Sequence, residues 1–454
     1  MKILEVIKNA FRVPELRKKI LMTLLLIVIF RVGCHIAVPG LSSGALSDLA
    51  GNGLFKFMDL LTGGAFQQVS LFSLGISPYI NASIIIQLLT VAIPALERLS
   101  KEGGEEGRQK ISQITRFTAL GLAVFQSIML YFNIQTATIN VSTGATDGKF
   151  DLLTFLIIVV AFSAGTMLLM WLGEKITEVG IGNGISMLIF AGIVANGPTA
   201  AKRLWNYIFA DSKGTDGRVT DSTVANVFIV VGLIIIFLAV IVAVVWMEGG
   251  ERRIPVQYAK RVVGRKIYGG QNTHIPLKVN SSGVLPIIFA MSMLQFPATI
   301  VAFMGKSTST TGFAGWINRF SEGNTVTYVI VYAVLIIAFT FFYNIVYFDP
   351  NDMANNLKKN GGFVPGIRPG QPTADFIKKS SHRLTWFGAI FLALLAIFPN
   401  VIKLIAGLFS SDVATNVSIG FGGTTILILV GVALETVKQL EAQLLMRNYK
   451  GFLD

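Results

Sequence analysis

Long apolar runs recur along the chain, and the short stretches between them hold nearly all of its charge. A helix crosses the roughly 30 Å hydrocarbon core of a bilayer with about 20 residues. Ten runs fit that length, at about 20–39, 71–94, 114–133, 152–172, 181–197, 224–247, 283–304, 325–348, 384–402 and 421–440. The strongest reads without interruption from Phe228 to Trp246. The weakest, 181–197, carries Gly182, Gly184, Gly192 and Gly197. The pattern predicts an all-α polytopic membrane protein. A membrane barrel would show roughly ten-residue strands of alternating polarity instead.

Composition narrows this picture. Of 454 residues, 53% are apolar and only 14% charged, against about 25% charged in a soluble domain. One soluble globule could not cover its surface with so few charges. A disordered chain, a collagen-like chain and a disulfide scaffold are also excluded. The single cysteine, Cys34, leaves no intrachain disulfide to form.

The net charge of +13 is unevenly placed. Segments on the side of residue 1 hold 28 Lys and Arg, the opposite side holds 9, and Arg31 lies within the first run. The positive-inside rule then puts both termini in the cytoplasm of a multi-pass protein. Residues 1–19 place Ile3, Leu4, Ile7 and Phe11 near one face, with Lys2, Lys8, Arg12 and Arg17 elsewhere. They read as an amphipathic interfacial helix or as a frayed basic tail. No small-x-small cleavage site follows the first apolar run, so it is not read as a signal peptide.

The interior offers little chemistry. Ionisable groups in a span are functional by default because burying them is costly. Here Arg31 stands near the outer end of its run, within reach of the interface, and Glu435 near the inner end of the last. No span carries an HExxH pattern or paired carboxylates, and His35, His274 and His382 are scattered. The glycine-rich stretch 178–186 has no strand before it and is rejected as a nucleotide loop. No catalytic residue, metal or cofactor is expected.

Polar spots remain within the spans. Ser73, Ser77 and Asn81 recur at spacing four beside Phe72, Ile76, Ile80 and Ile84, and Gln87 follows. Ser292, Gln295 and Phe296 stand just after Ile288. Such groups bond across helices for about 0.6–2 kcal/mol each. They could form a seam that parts, but periodicity alone favours interhelical glue. Between the first two runs, Gly53 to Gln68 form a short apolar stretch ended by Gly63 and Gly64. It is too short to span, and fits a re-entrant half-helix or an interfacial loop helix.

Two basic loops interrupt the second half. In 248–282, Ile254, Val256 and Tyr258 alternate, and Arg265 to Tyr268 follow Gly264, which predicts a β-hairpin between those two stretches. Its cations (Arg252, Arg253, Lys260, Arg261, Arg265, Lys266 and Lys278) leave a net +5. In 349–383, Pro365, Gly366, Pro369 and Gly370 bracket Arg368 in a stiff turn. RNA phosphates, an acidic protein groove and anionic lipids are all fitting partners.

Several stretches carry a resemblance: LGISPYINASIIIQLLTV from Leu74, GEKITEVGIGNGIS from Gly173, ERRIPVQYAKR from Glu251, THIPLKVNSSGVLPIIFA from Thr273, NNLKKNGGFVPGIRPGQPT from Asn355 and GGTTILILV from Gly422. In these the chain resembles the SecY family, central subunits of the protein-conducting channel, over essentially its whole length. The resemblance implies ten transmembrane helices in two pseudo-symmetric inverted halves of five, 20–197 and 224–440. The external loop 198–223 would join them, and 441–454 would form a cytoplasmic tail.

It implies an apolar pore ring of Ile76, Ile80, Ile185, Ile189, Ile288 and Ile428. A re-entrant plug helix at about 53–67 would include Gly53, Leu54, Phe57, Met58, Leu61, Gly63 and Gly64. A lateral gate would use Asn81, Gln87, Asn183, Ser292 and Phe296. Docking would use Arg252, Arg253, Lys260, Arg261 and Arg368. The implied function is conduction of unfolded preproteins and release of transmembrane segments into the bacterial plasma membrane. The implied partners are SecE, SecG, the SecA ATPase, the ribosome through its rRNA and proteins, signal peptides and anionic lipids. A secondary transporter is the other class that the composition allows.

Overall fold

The structure is a computed structural model that describes residues 3–41, 59, 61–101, 103–134, 151–208, 221–258, 261–263, 266–268, 272–303, 326–409 and 423–450. Each of the ten apolar runs falls on a helix. Among the described residues six helical stretches are long and apolar enough to cross a membrane, or seven if one bent pair counts as a span.

The chain opens with α1 (Ile3–Arg12) and α2 (Pro14–Gly33). They are separate helices because Pro14 forces Val13 into an extended conformation (φ −88°, ψ 115°). Ala10 of α1 and Leu16 of α2 are buried against Ile181 and Leu440. The N-terminal helix is therefore tied to the bundle there rather than frayed.

The second run is only partly helical, which corrects the predicted stripe. Residues 70–76 are turns, and α3 (Ser77–Ala92) begins after Gly75 at φ 59°. Ser73 is buried in those turns, where its hydroxyl donates to Ser70 O at 2.6 Å. The Ser73–Ser77–Asn81 series is thus not one helical face. Ile93 is extended before Pro94, and α4 (Pro94–Lys101) leaves at 105° to α3.

Next come α5 (Gly104–Ile134), α6 (Leu152–Val179), α7 (Gly184–Ala195) and α8 (Gly197–Ile208). Asp151 caps α6 by accepting from Thr154 N at 3.4 Å. The second half begins with α9 (Asp221–Gly249). The first basic loop then holds β1 (Glu251–Tyr258), β2 (Arg261–Val263), β3 (Lys266–Tyr268) and β4 (Asn272–Lys278). It is followed by α10 (Leu285–Phe303), α11 (Val326–Tyr347), α12 (Pro350–Lys359), β5 (Gly362–Phe363), α13 (Gln371–Phe409) and α14 (Gly423–Lys450).

The loop is β-structured as expected, but the pairing differs. β1 pairs antiparallel with β4, while β2 and β3 form their own small hairpin. The prediction stopped at Tyr268 and missed that Thr273, Ile275 and Leu277 supply the longer partner. β5, from the second basic loop, adds to the other edge of β1 through Gln257–Phe363 and Tyr258–Gly362. Ile254, Val256, Leu277, Leu357, Val364 and Ile377 form one core beneath this sheet. The two loops are consequently one body.

Packing runs mostly between sequence neighbours. α3 packs on α5, α5 on α6 and α6 on α7; later, α10 packs on α11 and α11 on α13. The two groups meet where α14 touches α7 and where α10 touches α3 and α5. Small residues allow the closest approaches. A Cβ on Gly165 of α6 would overlap the carbonyl of Leu71. Gly165→Val should therefore force backbone apart, at a cost of about 1–3 kcal/mol. A lower thermal unfolding midpoint of the purified protein in detergent is expected; an unchanged midpoint would contradict this packing.

Candidate functional site

The six isoleucines come from four helices and converge. Ile76 is the N-cap residue of α3 and Ile80 lies one turn on. Ile185 and Ile189 are on α7, Ile288 on α10 and Ile428 on α14. Ile80 packs against three apolar clusters that between them contain or contact all the others. Ile76, Ile189, Ile288 and Ile428 are buried, while Ile80 and Ile185 are half-buried. Three of the six, Ile76, Ile80 and Ile189, line a small cavity with Phe30, Leu61, Thr62 and Leu188 that has room for about one water. Such a waist is narrow, apolar and free to yield, since dispersion contacts have no fixed geometry to break.

Leu61 and Thr62 end a helical stretch, and Gly63 and Gly64 turn out of it beside these isoleucines. Leu61 belongs to the cluster of Ile189, Ile193 and Ile428. Gly63 and Gly64 have φ of 71° and 89°, a conformation that glycine adopts without penalty. The Asp59 carbonyl closes the turn by accepting from Gly64 N at 2.9 Å. Gly53, Leu54, Phe57 and Met58 lie outside the described residues. Arg31 does not reach for the interface as its position implied. Its Nη1 donates to Gly63 O at 3.1 Å.

The seam between α3 and α10–α11 is mainly apolar. Ile84, Ile288, Phe289 and Tyr343 form one buried cluster there, lined by Ile80, Leu88, Phe339 and Phe342. A polar contact crosses it: the Tyr343 hydroxyl of α11 donates to Gln87 Oε1 of α3 at 2.7 Å. Sequence reasoning named Gln87 and missed Tyr343, because the same span also carries Tyr328, Tyr332, Thr340, Asn344 and Tyr347 and nothing local singles one out. Asn81 is half-buried on α3, and Ser292 is half-buried on α10, one turn past Ile288. Phe296 lies on α10, and its side chain is outside the described residues. Asn183 is exposed at the start of α7, where its Oδ1 caps the helix by accepting from Ile185 N at 3.1 Å and Ser186 N at 3.3 Å.

The basic loops place cations on the joint sheet, on the small hairpin and on a turn. Arg252 and Arg253 are exposed on β1. Arg253 pairs with Glu251 at 2.7 Å, and that hydrogen bond holds the Glu251 carboxyl below its usual pKa. The pair is exposed and screened, so it ties up little of Arg253. Arg261 lies on β2 with its side chain outside the described residues, and Lys260 is outside them altogether. Arg368 is exposed at the tip of a turn bounded by Gly366 (φ 81°) and Gly370 (φ 102°). The Thr373 hydroxyl donates to Arg368 O at 2.8 Å, which fixes the tip. Among the described residues, no group of three or more His, Cys, Asp or Glu could hold a metal ion.

Comparison with known proteins places this geometry. The sequence profile of the SecY family matches residues 70–437. The protein translocase subunit SecY of Streptomyces coelicolor is 45% identical over 454 residues, covering 98% of each chain. That of Bacillus subtilis is 42% identical, covering 98% of this chain and 99% of the relative. Among solved structures, a protein conducting channel superposes with a TM-score of 0.62 at 17% identity, over 94% of this chain and 92% of that one. Sec61 from a canine ribosome-channel complex gives 0.57 at 16%, with the same coverage. At those identities the structures speak for the fold, and the curated relatives speak for descent: this chain is a member of the SecY family.

Proposed function

We propose that this chain is the pore-forming subunit of a protein translocase. It conducts unfolded polypeptides across a membrane and releases their apolar segments sideways into lipid. The observation that supports this reading is that the apolar clusters holding Ile76, Ile185, Ile189, Ile288 and Ile428 all adjoin at Ile80, and we read the six as one narrow waist. An apolar ring closes by excluding water and opens without losing directional bonds, so it tolerates any passing sequence. A secondary transporter finds no support: the relatives are translocase subunits, and no ionisable side chain is among the six waist residues.

The finer reading has four parts. The ten helices cross the bacterial plasma membrane as two inverted halves of five, 20–197 and 224–440, with both termini cytoplasmic. The 28 Lys and Arg on one side support that orientation. Residues 53–67 act as a plug over the waist, hinged at Gly63–Gly64. The α3/α10–α11 seam is the lateral gate, where a signal peptide helix replaces the Ile84–Ile288 contacts. The joint sheet, with Arg252, Arg253, Lys260, Arg261 and Arg368, docks the SecA ATPase or the rRNA and proteins of a translating ribosome. SecE and SecG accompany the subunit in the membrane, anionic lipids meet its cytoplasmic cations, and no cofactor or catalytic residue is assigned.

Three experiments test the docking surface, the waist and the gate. Arg368→Glu reverses the charge on a fixed tip; SecA-driven export in proteoliposomes should be lost while the complex stays assembled. Normal export by that variant would remove the docking role. Ile288→Asn or Ile428→Asn buries an amide in the waist at about 1–3 kcal/mol. Preproteins with weakened signal peptides should then be exported on the order of 10-fold faster, and unchanged selectivity would exclude those residues from the ring. Tyr343→Phe deletes a bond worth about 0.5–1.5 kcal/mol across the seam. Marginally apolar segments should partition into lipid several times more often in an insertion assay. Equal partitioning would place the gate elsewhere.

A further inference from the structure

We propose that Arg31 is a positioning residue that seats the plug turn on the waist and thereby sets the threshold for opening. This rests on the plug reading given above.

Two successive carbonyls of the turn are held by the end of α2. Gly63 O accepts from Arg31 Nη1 at 3.1 Å, and Thr62 O accepts from Cys34 Sγ at 3.7 Å. Arg31 and Cys34 are three residues apart, so they face the turn together. The turn is also pressed against α7. A Cβ on Gly63 would lie 2.6 Å from Arg31 Nη1 and 2.7 Å from Gly192 O, and a Cβ on Gly192 would overlap Leu61 O. The turn therefore sits in a slot between the end of α2 and the glycine surface of α7. Leu61, Thr62, Ala65 and Phe66 around it are buried.

Arg31 is half-buried beside this slot, and backbone carbonyls are among the partners that cations near a membrane interior use. The bond to Gly63 O exists only while the turn is seated. If the turn swings away, a charge-assisted bond is lost and the carbonyl needs a new donor. Arg31 thus favours the seated state selectively, without touching the isoleucine ring. Cys34, a weak donor, adds direction rather than strength. The Gly63–Gly64 pair supplies the pivot, because neither residue resists the positive φ that the seat imposes.

The test uses the full translocon complex in proteoliposomes and reads anion leak in the absence of substrate. Arg31→Gln should raise leak about tenfold, the shift expected from losing one charged bond, and should admit preproteins with defective signal peptides. Arg31→Lys keeps a cation with donors and should restore most of the seal. Gly192→Ala, which leaves Arg31 in place but fills the slot, should leak as Arg31→Gln does. Deleting residues 53–62 is the reference for an unplugged channel. If the deletion leaks while Arg31→Gln seals like the parent, Arg31 has no seating role and the plug reading stands. If the deletion also seals, both fall. If Arg31→Lys leaks as freely as Arg31→Gln, a held charge is not what seats the turn, and the proposal is overturned.

Discussion

Apolar contact at Ile80 is the interaction on which the rest of the molecule depends. This one side chain touches the cluster of Phe72 and Leu188, the cluster of Ile189 and Ile428, and the cluster of Ile288 and Tyr343. Through it α3 meets elements from both halves of the chain. A seal made this way is strong in sum and weak in each part, because single dispersion contacts are worth only about 0.1–0.2 kcal/mol. Polar groups are kept to its margins. Gln87 and Tyr343 bond across the seam below Ile84, and Arg31 bonds the turn above the ring. Closure can thus be tuned at the edges while the waist itself stays indifferent to what passes.

Glycine makes the second half of that arrangement possible. Gly192 lets the Leu61 carbonyl lie on α7, Gly184 brings α7 onto the carbonyl of Gly173, and Gly165 admits the carbonyl of Leu71. In each case backbone stands where a side chain would be. Lipid offers no hydrophobic drive for helices to associate, so close approach and the contacts it permits must supply it. The glycine-rich weakness of the run 181–197 is the source of its packing.

Much was legible in the sequence because hydrocarbon imposes simple demands. A helix lies within each apolar run, since internally bonded backbone is what hydrocarbon tolerates. Arg368 between Pro365–Gly366 and Pro369–Gly370 became a fixed, exposed tip, since those residues restrict their own dihedrals. The departures lie where a distant partner decides. Ser73 left the helix because Gly75 and the turns before Ile76 give it Ala65 and Ser70 carbonyls instead. β1 chose β4 over β3 because Ile275 and Leu277 reach the core beneath Ile254 and Val256. Asn183, a polar residue near a gate motif, was drawn to the free N–H groups of α7.

The sequence by itself determined a polytopic helical chain, its asymmetric charge, the two basic loops and, by likeness of its motifs, its family. These are local properties, written in composition, period and order. Only the tertiary structure decided that Ile80 joins three apolar clusters, that Tyr343 answers Gln87 from 256 residues away, that Arg31 turns inward to Gly63, and that the two loops share a sheet. The reason is physical. Apolar side chains look alike to any local rule, and a donor or a strand edge is satisfied by whichever partner the fold brings within reach.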